Sequence, residues 1–130
     1  MIGIIGAMSV EVEALGGAMT DKRSECISGI DFVCGVLCGR EVVVAQCGIG
    51  KVFAAMAAQT MILRFGVEMI INTGVGGTLT DKLGIADVAV STACVQHDMH
   101  TCAIAAPSIS HAIAPKFSVM YRFFSALLTN

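Results

Sequence analysis

Four stretches of the chain carry residue types that can do chemistry. The first is Glu11, which closes an opening run, Met1-Ile-Gly-Ile-Ile-Gly-Ala-Met-Ser-Val-Glu11, that reads as a buried strand turning directly into a helix near Ser9. A carboxylate just past the carboxyl end of a strand sits where open α/β sheets hold their ligands. Glu11 has two readings: a general base, or a carboxylate stabilised by the positive end of a helix. Spacing alone favours the second. Two glycine turns, Gly48-Ile49-Gly50-Lys51 and Gly74-Val75-Gly76-Gly77, follow apolar runs and present backbone N–H groups suited to a polar ligand. Neither has the spacing of a phosphate-gripping Walker loop. Each alone reads as a tight connection; two at one sheet edge favour a ligand crevice. His97-Asp98-Met99-His100 holds three metal-ligand types but no fourth nearby, so a polar loop or oligomer contact is the better reading.

Other reactive residues read more blandly. Met8 fits a sugar or plain core, Lys51 is a surface lysine or a structural partner, and Glu13 is solvated. The six cysteines, at 26, 34, 38, 47, 94 and 102, include no CxxC pair and lie mostly in apolar stretches. They read as small buried thiols of a reducing cytoplasm, with Cys102 the exposed candidate.

The elements that position these residues follow from hydrophobic patterning. A helix is expected over Val10 to Met19 with Val10, Ala14 and Ala18 on one face, shortened by Gly16-Gly17. Thr20 to Ser24 reads as a polar turn. Short strands follow at Cys26 to Ile30, Asp31 to Leu37 and Glu41 to Cys47, with turns at Gly29 and Cys38-Gly39-Arg40. Val42-Val43-Val44 marks a strand covered on both faces. A helix runs from Lys51 to Arg64 and is capped by Gly66, followed by a buried strand from Val67 to Asn72 and a turn from Thr73 to Thr78. Another strand is expected at Ala86 to Cys94, and a terminal amphipathic helix from Lys116 to Leu128. Alternating strands, glycine turns and helices make an α/β fold with crossover connections.

Composition sets the limits. The chain has 130 residues, 55% hydrophobic and 14% charged, with net charge −2. So little charge for so short a chain points to apolar surface buried against a partner, or to a piece of a larger fold. The absence of a basic stripe argues against nucleic acid or an anionic membrane as partner. No stretch reaches the roughly 20 apolar residues of a spanning helix, and no secretion signal is read at the start.

Taken in order, Ile2-Gly-Ile-Ile-Gly-Ala-Met8 with Glu11, Cys47-Gly-Ile-Gly-Lys-Val52, Ile71-Asn-Thr-Gly-Val75, Asp87-Val-Ala-Val-Ser91 and Gln96-His-Asp-Met99 resemble the 5′-methylthioadenosine/S-adenosylhomocysteine nucleosidases of the nucleoside phosphorylase/hydrolase superfamily. The resemblance covers residues 1–105, an amino-terminal half, and leaves 106–130 as a divergent tail. It implies a three-layer α/β/α sandwich with a mixed central sheet, here truncated. It also implies a cytoplasmic homodimer that hydrolyses the N-glycosidic bond of either nucleoside in methionine salvage, releasing adenine without metal or cofactor. Glu11 would activate the attacking water. Met8 and Ile49 would line the ribose site, and Val75, Gly76 and Gly77 would lie against substrate. The segment from Thr101 to Ile104 would reach the partner's pocket.

The same resemblance exposes departures. The family's acid, an aspartate after a serine on a late strand, and its ribose anchor, a Met-Glu-x-Glu strand, have no counterpart: no Ser-Asp pair follows residue 105, and Glu68-Met69 lies before the wrong strand. Val75-Gly76-Gly77 is one position off the usual turn, Ala86 replaces a common glycine, and His100 a usual aspartate. Weak or absent activity is therefore expected of this chain. The alternatives are a non-catalytic interaction protein derived from the fold, or another purine nucleoside phosphorylase or hydrolase.

Overall fold

The computed structural model describes residues 1–77, 81–91 and 117–122. The chain runs β1 (Ile2–Gly6), α1 (Ser9–Ala18), β2 (Thr20–Ile27), β3 (Ile30–Leu37), β4 (Arg40–Gln46), α2 (Lys51–Phe65), β5 (Met69–Val75), β6 (Val88–Ser91) and β7 (Phe117–Arg122). The described strands form one mixed sheet in the order β2-β3-β4-β1-β5-β7-β6. β4, β1, β5 and β7 are parallel neighbours, while β2, β3 and β4 form an antiparallel meander and β6 runs against β7.

Alternation along the central strands makes the layers. Ile4, Val42 and Val44 point to one face, where they pack with Val12 of α1 and Met19. Ile5, Val43 and Ala45 point to the other, against Ala57 and Met61 of α2, with Phe32, Val67 and Ile70. Successive strand residues face opposite ways, so one helix covers each side. This is the expected three-layer sandwich with a mixed sheet, and the valine run of β4 is covered on both faces as expected. Gly3 admits α2 closely, since a Cβ there would lie 2.7 Å from Met61 Sδ.

The two hairpins use two-residue turns, Ser28-Gly29 (φ 53° and 78°) and Cys38-Gly39 (φ 50° and 74°). Positive φ at both centres matches the twist of the flanking strands. Gly66, at φ 66°, ends α2 and donates its N–H to Met61 O, as its position after the helix implied.

Several expectations need correction. α1 continues through Gly16-Gly17 to Ala18, and its inward face is Val12 and Leu15, while Val10 is 69% exposed. Burial of those two side chains offsets the low propensity of the glycines, and Lys22 Nζ donates to Gly16 O at 3.2 Å. Thr20 to Ser24 is strand rather than turn. As a charged edge strand, β2 pairs with β3 on one side only, and its register slips near Asp21, where φ is 51°. β5 extends through Gly74 to Val75, so the glycine turn begins later than expected. The expected terminal helix over 116–128 contains instead β7, paired with β5 from Ile70↔Phe117 to Val75↔Arg122. Short apolar stretches fit either period, and the edge of β5 offers strand partners that the sequence does not display. β6 is shorter than the expected 86–94 strand, whose last part lies outside the described residues. Among the cysteines, Cys34 and Cys47 are buried, but Cys26 and Cys38 are exposed. Cys26 lies on the edge strand β2, and Cys38 in the turn between β3 and β4. Cys94, Cys102, the His97–His100 stretch and Ile104 lie outside the described residues.

Candidate active site

The carboxyl ends of β1, β4 and β5 lie along one sheet edge. From there β1 leads to α1 on one face and β4 to α2 on the other. Neighbouring parallel strands whose connections part in this way leave a crevice between them. Its two walls are tied together where Cys47 N–H donates to Gly6 O at 2.9 Å.

Glu11 is the third residue of α1 and half-buried at this edge. Its Oε2 accepts from Ala7 N–H at 2.7 Å and from Met8 N–H at 2.9 Å. Its Oε1 accepts from Val75 N–H at 3.1 Å, across 64 positions of sequence. The first two bonds are those of a helix-capping glutamate, which reaches back over the first turn to N–H groups the helix leaves unpaired. The third is not needed for capping. It ties the start of α1 to the end of β5 and fixes the plane of the carboxylate. A carboxylate has about four acceptor positions, so the three described donors leave roughly one for a ligand, on Oε1. Two of the bonds meet the capping reading of Glu11, and the third leaves a fixed carboxylate with one open acceptor position.

The other expected site residues fall around it unevenly. Met8 is half-buried and is the N-cap of α1, with extended backbone (φ −120°, ψ 156°). Val75 ends β5, gives its N–H to Glu11, and leaves its side chain 42% exposed. Gly76 and Gly77 follow directly. Ile49 stands 77% exposed between Gly48 (φ 88°) and Gly50 (φ 117°), on the loop into α2. The structure thus brings Met8, Glu11 and Val75 into direct contact through backbone bonds, and places Ile49 on the neighbouring loop of the same edge. Four clefts of about 250 to 500 Å³ on the described surface are lined by residues other than Glu11. One of them, about 410 Å³, lies on the α2 side and includes Cys47, Gly48, Phe53 and Met56. Among the described residues no group of three or more His, Cys, Asp or Glu is arranged to hold a metal ion.

Two residues take a more specific place than the sequence reading gave them. Cys47 follows β4, and its thiol is pushed above its usual value by burial; a bond to its own backbone lowers it, and the negative charge of Glu11 raises it further. Its backbone bond to Gly6 O places it where the ends of β1 and β4 meet. Gly74 is the other: a Cβ there would lie 3.1 Å from Glu11 Oε1. A glycine inside a strand was the available signal.

The family model of the phosphorylase superfamily matches residues 1–130. The chain belongs to that superfamily. Over 102 residues it is 44% identical to a 5′-methylthioadenosine/S-adenosylhomocysteine nucleosidase of Shewanella sp. (strain MR-7), covering 78% of this chain and 43% of the relative. The solved nucleosidase of Colwellia psychrerythraea 34H, in complex with adenine, is 42% identical with a TM-score of 0.76, covering 78% of this chain and 42% of that one. Futalosine hydrolase of Helicobacter pylori strain 26695 is 37% identical with a TM-score of 0.72, covering 82% and 46%. This superfamily chain therefore spans less than half the length of the relatives it matches. No helix among its described residues is long and apolar enough to cross a membrane.

Proposed function

We propose that this chain carries the water-activating part of a nucleosidase that hydrolyses the N-glycosidic bond of 5′-methylthioadenosine and S-adenosylhomocysteine and releases adenine. The observation that carries the reading is the Glu11 carboxylate, held by three backbone N–H groups at the carboxyl edge of the sheet. Similarity to the nucleosidases of Shewanella and Colwellia, the latter in complex with adenine, supports the substrate class. It also favours an enzyme over a non-catalytic interaction protein.

In the proposed reaction, the open position on Oε1 takes a proton from water as the oxygen attacks C1′. The N-glycosidic bond breaks with its electron pair going to adenine, and the negative carboxylate stabilises the oxocarbenium character that builds on the sugar. Adenine must gain a proton to leave. This sequence has no Ser-Asp pair after residue 105 to supply it, nor a Met-Glu-x-Glu strand to hold the ribose hydroxyls. General acid catalysis alone contributes about 10²–10⁴-fold, so the chain by itself is weak or inactive. Met8 and Ile49 line the ribose, Val75, Gly76 and Gly77 lie against substrate, and Ile104 reaches the pocket of a second copy. The reaction uses no metal or cofactor, and the setting is a cytoplasmic homodimer.

The test is adenine release from methylthioadenosine at high protein concentration, for the parent chain and Glu11→Gln. A slow release that Glu11→Gln removes is expected. Release unaffected by the substitution would take Glu11 out of the mechanism, and robust turnover would overturn the predicted weakness. Because the chain also resembles futalosine hydrolase, futalosine belongs in the same assay; preferential turnover of it would replace the substrate assignment.

A further inference from the structure

We infer that Gly74 is a positioning residue for the Glu11 carboxylate: because position 74 has no side chain, Val75 N–H can bond Oε1 and set the direction of its open acceptor position. The geometry is independent of the proposed reaction; only its catalytic meaning rests on that reading.

Gly74 has no other evident reason to be glycine. It lies inside β5, opposite Tyr121 of β7, where a side chain would ordinarily help a strand. Its backbone is not in the left-handed region, unlike Gly29, Gly39, Gly48, Gly50 and Gly66. The three nearest atoms to a Cβ built there all belong to Glu11, at 3.1 Å for Oε1, 3.6 Å for Cδ and 3.9 Å for Oε2. On the other side of the carboxylate lies Gly6, at the end of the adjacent strand β1, whose Cβ would come within 3.1 Å of Glu11 Cβ and 3.5 Å of Oε2. The carboxylate thus occupies a slot between two glycines, one on each of two neighbouring parallel strands. The slot is faced by backbone amides, which donate to the charge without moving. Gly6 also admits Val12, at 2.6 Å from its would-be Cβ, so substitution there mixes packing with positioning. Gly74 isolates the positioning effect.

A methyl group at position 74 requires Oε1 to retreat by a few tenths of an ångström, away from Val75 N–H. The two bonds to Ala7 and Met8, made by the other oxygen, can persist. The experiment is NMR of the chain as it stands, reading the coupling across the hydrogen bond from the Val75 amide nitrogen to the Glu11 carboxyl carbon, with amide exchange at Ala7, Met8 and Val75. In Gly74→Ala the Val75 coupling is expected to vanish and its exchange to quicken about ten-fold, the loss of one bond to a charged acceptor. Ala7 and Met8 are expected to stay unchanged. Gly16→Ala, which meets nothing within 4 Å, should leave all three as they were.

Glu11→Asp supplies the cross-check, because its shorter side chain withdraws the carboxylate. In that background Gly74→Ala should have no further effect on Val75. Should Gly74→Ala alone fail to fold, the double substitution should recover the fold. Persistence of the Val75 coupling in Gly74→Ala, an equal effect in the Glu11→Asp background, or failure of both variants to fold would each overturn the assignment. If the bond is lost while Glu11-dependent adenine release is unchanged, the positioning stands and its catalytic meaning falls.

Discussion

Replacing Glu11 by glutamine keeps the shape of the side chain and changes only its bonding, so its effect can be worked from the three bonds. The amide has one accepting oxygen. That oxygen can stay with Ala7 and Met8 N–H, now at 2.7 and 2.9 Å from Oε2, but the NH₂ group then faces Val75 N–H, donor against donor. One bond is lost and two change from charged to neutral acceptor. Bonds to charged groups contribute about 1.5–3 kcal/mol and neutral ones about 0.5–1.5 kcal/mol, so the gross loss is about 3.5–6 kcal/mol. Glu11 is only half-buried, and water can serve Val75 N–H in its place. Halving the figure for solvent leaves about 2–3 kcal/mol. Urea unfolding followed by circular dichroism should show a lower midpoint at unchanged slope. Glu13→Gln, two residues on and exposed, should stay within about 0.5 kcal/mol of the parent. If Glu11→Gln unfolds at the same midpoint as Glu13→Gln, the three bonds do not hold the carboxylate and the argument for a fixed acceptor fails.

Met61 is fully buried, and its sulfur abuts Gly3; Met61→Ala should cost about 2–5 kcal/mol in the same unfolding assay. Ala86 has φ 71°, which costs an alanine about 1–2 kcal/mol. Ala86→Gly removes that cost against about 0.5–1 kcal/mol of added chain entropy, so calorimetry should show a gain in stability no larger than about 1 kcal/mol. Burial raises the thiols of Cys34 and Cys47 above the ordinary 9.0, countered at Cys34 by Arg23 and reinforced at Cys47 by Glu11. The folded chain holds those protons more tightly than the unfolded one, so their contribution is full below pH 9.0 and is lost as pH rises through the folded values. Stability measured from pH 8 upward should decline, and Cys34→Ser with Cys47→Ser should flatten that decline.

Much of the site was legible because its signals are local. Strand, glycine, glutamate and helix start lie within the first eleven residues, and no distant contact is needed to place Glu11 at a strand end. The glycine loop before α2 and the cap at Gly66 follow from backbone conformations that few other residues adopt. The motifs in series also carried the resemblance to the nucleosidases. Ala86, noted as standing where the family commonly has glycine, has the positive φ that makes glycine suitable there.

The errors share a cause. β2 looked like a turn because an edge strand needs apolar residues on one side at most. β7 looked like a helix because its apolar residues fit both periods, and only the edge of β5 decides between them. α1 looked short because two glycines weaken an isolated helix, whereas burying Val12 and Leu15 holds this one.

The sequence by itself determined the kind of fold, the order of its central elements and the identity of the carboxylate, because propensity, period and turn chemistry act over a few residues. Tertiary structure alone decided which strand lies beside β1 and hence which amide completes the hold on Glu11. The bond from Val75 spans 64 positions, and its donor is a backbone N–H that every residue but proline carries. No residue type announces such a bond; only the close passage of β5, through a glycine, makes it possible.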